Sequence, residues 1–375
     1  MLAASRAERL RVLRALLGVT QDELAALSGV KQSWISQVET SAREPTAEGL
    51  AAIAEATGTP LGFFDVCPAT IPLDSLRFRK NSTASKVVTR RVHAFYAESF
   101  RVAESLVGEC DYPTPTLPLA VEPDVSADEI EDLAEMTREF LRVAPDAPIP
   151  HVTRSLERAG IPVAPMMLAK NLEEDETSSA TGHFGISYWG GVGAPALVGT
   201  FPGSQGDRER FTLAHEVGHM VLHSYRPQAQ DAENEAHRFA GALLVPRRRA
   251  EETISESTTL TGYARLKATW GISIQALIVR AYDLGLISDT RKRSLFVQLS
   301  SKGWRKSEPV VVGHEAPLLM WTLLSRRYGD RPYRVAAEDL AIHPTVLRSI
   351  APSPNAKTRL SAQGEEHVVH LLKRN

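Results

Sequence analysis

One segment constrains the fold more than any other: residues 211–223, FTLAHEVGHMVLH, follow an apolar helical pattern that nevertheless contains His215, Glu216 and His219. The apolar positions around them are Leu213, Ala214, Val217, Met220 and Val221. Such a helix is predicted to be buried, and burying ionisable groups costs free energy unless a partner compensates for it. We therefore expect these three polar residues to share a ligand inside the protein.

The spacing of the two histidines predicts a metal site. His215 and His219 lie one helical turn apart, so both imidazoles project from one face and can reach a single ion. Glu216 is rotated by about 100° from His215, which leaves its carboxylate beside the ion. There it can take a proton from water whose pKa zinc lowers to roughly 7. We assign catalysis to Glu216, expect one Zn²⁺ per chain, and expect Asp207 to cap the helix.

A third protein ligand is needed if the fourth position is to stay open for water. His223 lies two turns beyond His215, about 12 Å along the axis, too far for two ligands that each lie ~2.1 Å from one ion. We expect it to cap the helix or to orient another ligand. In the next helical segment, DAENEAHRFAGALLVP, Glu233 and Glu235 both precede an apolar face, and either can point inward.

FTLAHEVGHMVLH followed by ENEAHRFAGALLVP resembles the ImmA/IrrE family of zinc metallopeptidases, which pair HExxH with a downstream E-x-x-A-[Asn/Asp]-x-F-A. By position, the resemblance implies that Glu233 is the third zinc ligand, with Glu235 as the alternative. His237 stands where the family has Asn or Asp, which removes a hydrogen bond that usually orients a ligand. The resemblance continues through LKATWGISIQALIVRAYDLGLIS and SKGWRKSEP.

Residues 5–66 follow a series of short helical patterns, and TQDE at residues 20–23 predicts a capping box at the start of the second helix. The segment TQDELAALSGVKQSWISQVETSAREP resembles the helix-turn-helix of the Cro/repressor-type (XRE) family, whose third helix enters the major groove. The resemblance implies that Gln21 anchors a phosphate. It also implies a groove-facing set, in which glutamine pairs with adenine and lysine with guanine or phosphate: Lys31, Gln32, Ser33, Ser36 and Gln37.

Inside this domain, Ile35 and Val38 are predicted to pack inward with Leu24 and Leu27, while Trp34 either touches a thymine methyl or closes the core. Acidic side chains outnumber basic ones here, which weakens general attraction to DNA. DNA binding is therefore expected to need dimerisation or a basic stretch downstream. That stretch is interpreted as a solvated helix face or, alternatively, as a second nucleic-acid site: Arg77, Arg79, Lys80, Arg90 and Arg91.

The bulk properties fit a soluble protein of several domains. Apolar residues make up 43% of the chain and charged residues 23%. No apolar run approaches the ~18 residues of a membrane span. The two cysteines, Cys67 and Cys110, are far apart, which favours a reducing cytoplasm over a disulfide framework. We divide the chain into a helix-turn-helix domain (1–66), a helical connector with the basic segment (67–125), a metallopeptidase-like domain (126–310) and a helical region of unknown role (311–375).

The predicted fold is mainly α with a small β-sheet: an all-α helix-turn-helix domain followed by an α+β, zincin-like domain. The segments IPVAPM, HFGISYW and APALVGTF read as its strands. One of the last two is expected to be an edge strand that pairs with an extended substrate. Candidates for stabilising the oxyanion are Tyr188, His183, His223 and Tyr225.

Three functions compete at this point. The first is a DNA-binding regulator with a zinc-dependent endopeptidase domain, which the resemblance implies cleaves a repressor-like protein in a stress or mobile-element response. The second is a regulator whose peptidase-like domain is a non-catalytic sensor. The third is an interaction module in which zinc only holds the fold. Structural zinc sites are usually closed and rich in cysteine, so the third is the least favoured. A homodimer would suit a palindromic DNA site.

Overall fold

The computed structural model describes residues 2–67, 69, 71, 77–80, 86–166, 183–201, 203–226 and 228–354. Over these residues the chain is mainly helical with one small sheet, which confirms the predicted fold class. The amino-terminal helices are α1 (Leu2–Leu17), α2 (Gln21–Ser28), α3 (Gln32–Glu39) and α4 (Ala47–Thr57), and a short 3-10 helix (Leu61–Phe64) follows them.

Local sequence signals set both ends of the second helix, whereas the third helix begins without one. Thr20 and Glu23 form the predicted capping box at the start of α2, each side chain bonding to the other's backbone amide. The helix ends at Gly29, whose φ of 69° lies in the left-handed region that glycine adopts most easily. Lys31 precedes α3 and makes no side-chain capping bond, so packing rather than capping holds the start of that helix.

The core of the helix-turn-helix domain differs from prediction at one leucine. Leu24, Ile35 and Val38 are fully buried, as predicted, but Leu27 is 42% exposed. One turn further along a helix, the residue at i+4 lies closer to the same face than the residue at i+3 does. For Leu24 the i+4 residue is Ser28, which is partly buried, whereas Leu27 is the i+3 residue. The prediction for Leu27 was therefore wrong.

Trp34 closes this core from the side of α4. It is 8% exposed. A β-carbon added to Gly49 would come within 2.6 Å of the indole ring, so only glycine permits the close approach. Of the two roles considered for Trp34, the structure supports the core.

The basic stretch is not a single solvated helix face. Its first part forms the strand β1 (Arg77–Lys80), and its second part opens the long helix α5 (Lys86–Glu109). Arg91 is buried, and its Nε donates to the carbonyl of Ala15, in the last turn of α1. That interpretation was therefore wrong for Arg91. The side chains of Arg77, Arg79 and Lys80 lie outside the described residues.

Helix α5 connects the helix-turn-helix domain to the rest of the protein. Arg9 of α1 forms a buried ion pair with Glu98 of α5, and Arg101 bonds to the same carboxylate at 3.0 Å. Burial opposes ionisation of Glu98, but the charges of Arg101 and Arg9 outweigh it and hold its pKa below the usual range. Arg101 also donates to the carbonyl of Leu340 at 2.9 Å. Glu98 and Arg101 of α5 thus bond to the amino-terminal helix α1 and to the carboxy-terminal Leu340, respectively.

The sheet of the described chain has four strands in the order β1, β3, β4, β2, with β2 at Val163–Pro165, β3 at His183–Trp189 and β4 at Ala196–Thr200. β3 is antiparallel to both neighbours, and β2 runs parallel to β4. The three strands predicted from the sequence are confirmed. The expectation that β3 or β4 is an edge strand was wrong, because β1 covers the free side of β3.

The rest of the described chain is mainly helical. Two helices lie between α5 and strand β2 in the sequence: α6 (Ala127–Phe140) and α7 (Val152–Arg158). The others follow the sheet: α8 (Gly206–His223), α9 (Ala232–Leu244), α10 (Arg247–Thr253), α11 (Leu260–Trp270), α12 (Ile274–Asp283), α13 (Asp289–Ser301), α14 (Leu319–Tyr328), α15 (Pro332–Asp339) and α16 (Pro344–Ile350).

Two hydrophobic clusters organise the described residues. One contains α8, α9 and the helices that follow them up to α13. The other joins the helix-turn-helix core, α5, one face of the sheet and the three carboxy-terminal helices α14–α16. Residues 319–351 therefore pack in the same core as the amino-terminal domain. The domain boundaries given above stay a prediction, and this shared core gives the carboxy-terminal helices a structural role.

Candidate metal centre and DNA-binding face

Helix α8 is the buried centre of the hydrophobic cluster that also contains α9. It begins after Gln205, whose side chain makes no capping bond, and Asp207 lies in its first turn rather than at the cap. The prediction that Asp207 is the cap residue of α8 was wrong. Its carboxylate lies inside the first turn, where it accepts from the backbone amide of Arg208 at 2.8 Å and from Lys267 at 2.5 Å. Lys267 also binds Glu308 at 2.7 Å. These bonds fix the start of the helix through a buried charge network.

Three predicted ligand residues come together at this helix. The Nε2 atoms of His215 and His219 are 3.1 Å apart. Oxygens of Glu233 lie 3.4 Å from the first of these nitrogens and 3.3 Å from the second. Two ligands about 2.0–2.1 Å from a tetrahedral ion are separated by about 3.3 Å, which is the spacing observed. Two nitrogens and a carboxylate are also donors that zinc accepts, so the residues fit the ion in distance and in chemistry.

The approach of α9 to α8 brings the carboxylate to the histidines. A β-carbon on Gly218 would lie 3.0 Å from the ring of Phe239 and 3.2 Å from the backbone of Ala236. Glycine inside the HExxH sequence therefore lets the two helices pack closely. The same contact positions Glu233, in the first turn of α9, over the histidine pair.

The ligand triangle opens on one side only. The histidine side chains are 1% and 2% exposed, while that of Glu233 is 57% exposed. Burial favours the neutral acid at Glu233, but hydrogen bonds from His215 and His219 prevail and hold its pKa far below the usual range. The carboxylate is therefore ionised at neutral pH and partly open to solvent.

Glu216 is fully buried between α8 and strand β3. The hydroxyl of Ser187 donates to its carboxylate at 2.6 Å. A β-carbon on Gly185 would lie 2.8 Å from the carboxyl carbon of Glu216, and closer still to one oxygen. Sequence reasoning missed both residues of β3, because nothing in HFGISYW marks which positions face the helix. Together they hold the carboxylate in one place.

A chain of hydrogen bonds leads away from His219. Its Nδ1 lies 3.0 Å from Nδ1 of His223, whose Nε2 lies 3.0 Å from the carboxylate of Glu235. If Nε2 of His219 faces a cation, its Nδ1 must carry the proton and donate to His223, which in turn donates to Glu235. Arg226 binds the same carboxylate at 2.9 Å. His223 and Glu235 thus orient His219, and Glu235 points away from the ligand triangle.

His237 packs against the site rather than entering the triangle. Its ring lies 4.7 Å from the ring of Phe211 and 6.3 Å from that of His215, measured between centroids. A large flat ring here fills the space beside the first histidine. The substitution of the family's Asn or Asp by His237 is therefore accommodated by aromatic packing.

The four residues predicted as candidates for stabilising the oxyanion lie in different surroundings. Tyr188 packs edge-to-face on Phe100 of α5, on the side of β3 opposite to Ser187. His223 is engaged in the chain described above, and the side chain of His183 lies outside the described residues. Tyr225 is 57% exposed just beyond α8. Of these candidates it has the freedom to meet a bound peptide.

A tyrosine behind the sheet is a further neighbour that sequence reasoning missed. The hydroxyl of Tyr96 on α5 donates to the carbonyl of Leu197 at 2.8 Å. Burial, with the nearby charge of Glu216, raises the pKa of Tyr96 well above its ordinary value. It therefore stays a neutral hydrogen-bond donor. Helix α5 thus bonds to strand β4 through Tyr96 and to the helix-turn-helix domain through Glu98.

The predicted groove-facing residues lie on the outer side of α3. Lys31, Gln32, Ser33 and Gln37 are exposed and Ser36 is half-buried. This is the face that a recognition helix would present to the major groove.

Gln21 links this face to the interior of the domain. It accepts from Gln32 at 2.9 Å and donates to Glu39 at 2.7 Å. Glu39 is buried and paired with Arg14 at 2.7 Å, so one acidic and one basic side chain of this domain neutralise each other. The two glutamines are therefore held in fixed orientations before any DNA arrives.

Residues 204–282 match the family model of the IrrE N-terminal-like domain, a peptidase family. Residues 7–62 match that of a helix-turn-helix domain. The resemblances read from the sequence are thereby confirmed. Comparison with curated proteins and with solved structures gave no match. The IrrE-like segment runs from just before α8 to α12 and so includes all three residues of the ligand triangle.

The two matches support a transcriptional regulator that carries a peptidase-family domain. The IrrE-like domain is of a type that is usually metal-dependent. Within the described residues, His215, His219 and Glu233 form the cluster able to hold a metal ion, with ligand atoms within 4.8 Å of one another. No helix in that part of the chain has both the length and the apolar character needed to cross a bilayer.

Proposed function

We propose that the IrrE-like domain is a zinc-dependent endopeptidase and that the helix-turn-helix domain brings it to DNA or to a DNA-bound protein. The substrate class that the family resemblance implies is a repressor-like regulator of stress-response or mobile-element genes. The observation that carries the proposal is the spacing of 3.1–3.4 Å among the ligand atoms of His215, His219 and Glu233. Glu216, the residue that follows His215 in the sequence, does not belong to the triangle.

A zinc ion bound by these three residues would supply Lewis-acid chemistry, polarising a peptide carbonyl and lowering the pKa of water to roughly 7. Glu216 is the general base: it accepts the proton of the attacking water and delivers it to the leaving amine. Ser187 holds that carboxylate in place by its bond of 2.6 Å. His223 and Glu235 keep His219 in the tautomer that presents Nε2.

For the DNA-binding domain, we propose that Gln32 and Gln37 read base edges while Lys31, Ser33 and Ser36 approach the groove and backbone. Gln21 supports Gln32 and contacts a phosphate. A homodimer would present two such helices to a palindromic site. The exposure of Lys31, Gln32, Ser33 and Gln37 supports this proposal.

The test is a substrate trap. Glu216→Gln protein should keep its zinc and retain a bound protein partner that wild type cleaves, and mass spectrometry should find the new terminus only with wild type. His215→Ala, which should lose the metal, is the control for zinc-dependent folding. Equal proteolysis by Glu216→Gln and wild type would defeat the catalytic assignment. A partner captured equally by both and cut by neither would favour a non-catalytic sensor.

A further inference from the structure

Strand β3 is the strand that lies against the proposed general base. Gly185 and Ser187, which both approach Glu216, sit on the same face of β3 because side chains alternate along a strand. An extended peptide that added to the free side of β3 would therefore run past the metal centre. Peptides commonly bind in this way, with backbone hydrogen bonds to a strand edge.

In this chain the position beside β3 is already taken. β1 pairs antiparallel with β3, with Arg77 opposite Ser187, Phe78 opposite Ile186 and Lys80 opposite His183. From the pair Phe78–Ile186 to the pair Lys80–His183, β1 advances by two residues and β3 by three, so β3 has a bulge of one extra residue. The bulge falls at positions 184–185, which include Gly185, the glycine that approaches Glu216. Bulges of this kind are frequent beside active sites.

We propose that β1 is an intramolecular occupant of the peptide-binding edge, which a substrate must displace before it reaches the metal centre. The proposal rests on the proposed function for the identity of that edge. The sequence of β1, Arg-Phe-Arg-Lys, has three basic residues, one aromatic and no acid. It belongs to the segment between the helix-turn-helix domain and α5, so the DNA-binding domain and the occupant are adjacent in the chain.

Strand β1, while it is paired with β3, lowers the apparent affinity of the protein for any competing peptide. When only a fraction of molecules has a free edge, the apparent dissociation constant rises by the inverse of that fraction. A strand tethered in the same chain acts at an effective concentration on the order of millimolar. If β1 covers the edge in about nine molecules of ten, removing it strengthens binding of a competing peptide about tenfold.

The experiment measures binding of a fluorescein-labelled peptide with the sequence of residues 75–82, SLRFRKNS, by anisotropy. All proteins are full-length and carry Glu216→Gln, so cleavage plays no part. In the test variant residues 77–80 are replaced by Gly-Ser-Gly-Ser. In the matched control, residues 81–84, which lie outside β1, receive the same replacement. Zinc content and thermal unfolding verify that each variant is folded.

We expect the peptide to bind the test variant about ten times more tightly than the parent, and the control to bind like the parent. Equal affinity for test variant and parent would overturn the proposal. Hydrogen exchange on the parent alone gives a second measure that needs no folded variant. Amides of residues 77–80 should be protected and should lose protection when excess peptide is added.

Exchange of those amides at the rate of unstructured chain would equally overturn the proposal. Failure of the peptidase assignment would leave a different signature. In that case wild type would cleave nothing, while the difference in peptide affinity would persist.

Discussion

Replacing Gly185 by alanine should reduce catalysis without removing the metal. The added β-carbon would lie 2.8 Å from the carboxyl carbon of Glu216 and 2.8 Å from Cγ2 of Thr212, where ordinary contact begins at 3.4 Å. The carboxylate must therefore move by about 0.6 Å or more. Because a displacement of 1 Å at a catalytic group costs about 100-fold, we expect kcat to fall by roughly tenfold to 100-fold, or about 1.4–2.7 kcal/mol.

The assay is hydrolysis of a quenched fluorescent peptide selected from a combinatorial library on the wild-type protein, with zinc measured on the same samples. Gly108→Ala is the matched control. That glycine lies in α5, and a β-carbon there would meet nothing within 4 Å. Wild-type kcat in Gly185→Ala, at equal zinc content, would refute the idea that β3 positions Glu216.

Three further perturbations test other parts of the account. His223→Ala should weaken zinc affinity by about 10–100-fold in a chelator competition, since it removes the partner that orients a ligand; unchanged affinity would contradict the assigned chain. Glu98→Gln should destabilise the protein by about 3–5 kcal/mol in chemical denaturation because it leaves the buried guanidinium of Arg9 without its carboxylate, while Asp65→Asn, in an exposed pair, should cost no more than about 1 kcal/mol. The pair Gln32→Ala and Gln37→Ala should abolish sequence preference in a DNA-binding assay, and retained preference would rule out this reading face.

Much of the metal centre could be predicted from the sequence because its signals are local. The i, i+4 spacing of His215 and His219 predicts that both side chains lie on one face of a helix, and TQDE at residues 20–23 predicts the start of a helix. Glu233 needed the family resemblance, since periodicity alone left Glu235 equally possible. The structure separates the two glutamates by their partners: histidines of α8 for Glu233, and His223 with Arg226 for Glu235.

What the sequence did not reveal depends on contacts between distant segments. Ser187 lies 29 residues before Glu216, and no local pattern indicates that its hydroxyl meets that carboxylate. The pairing of β1 with β3 joins residues more than a hundred positions apart, so the sheet edge was assigned to the wrong strand. Asp207 was predicted to cap its helix because the local sequence gives no sign of its buried partner Lys267, which is 60 residues away.

The most direct test of the central claim compares wild type with Glu216→Gln at equal zinc content, using hydrolysis of the library-selected peptide. Glu216 is not a member of the ligand triangle, so both proteins should bind about one zinc per chain. The account predicts that hydrolysis by wild type is abolished by a chelator, restored by zinc, and lost in Glu216→Gln. Hydrolysis by Glu216→Gln at the wild-type rate would contradict it.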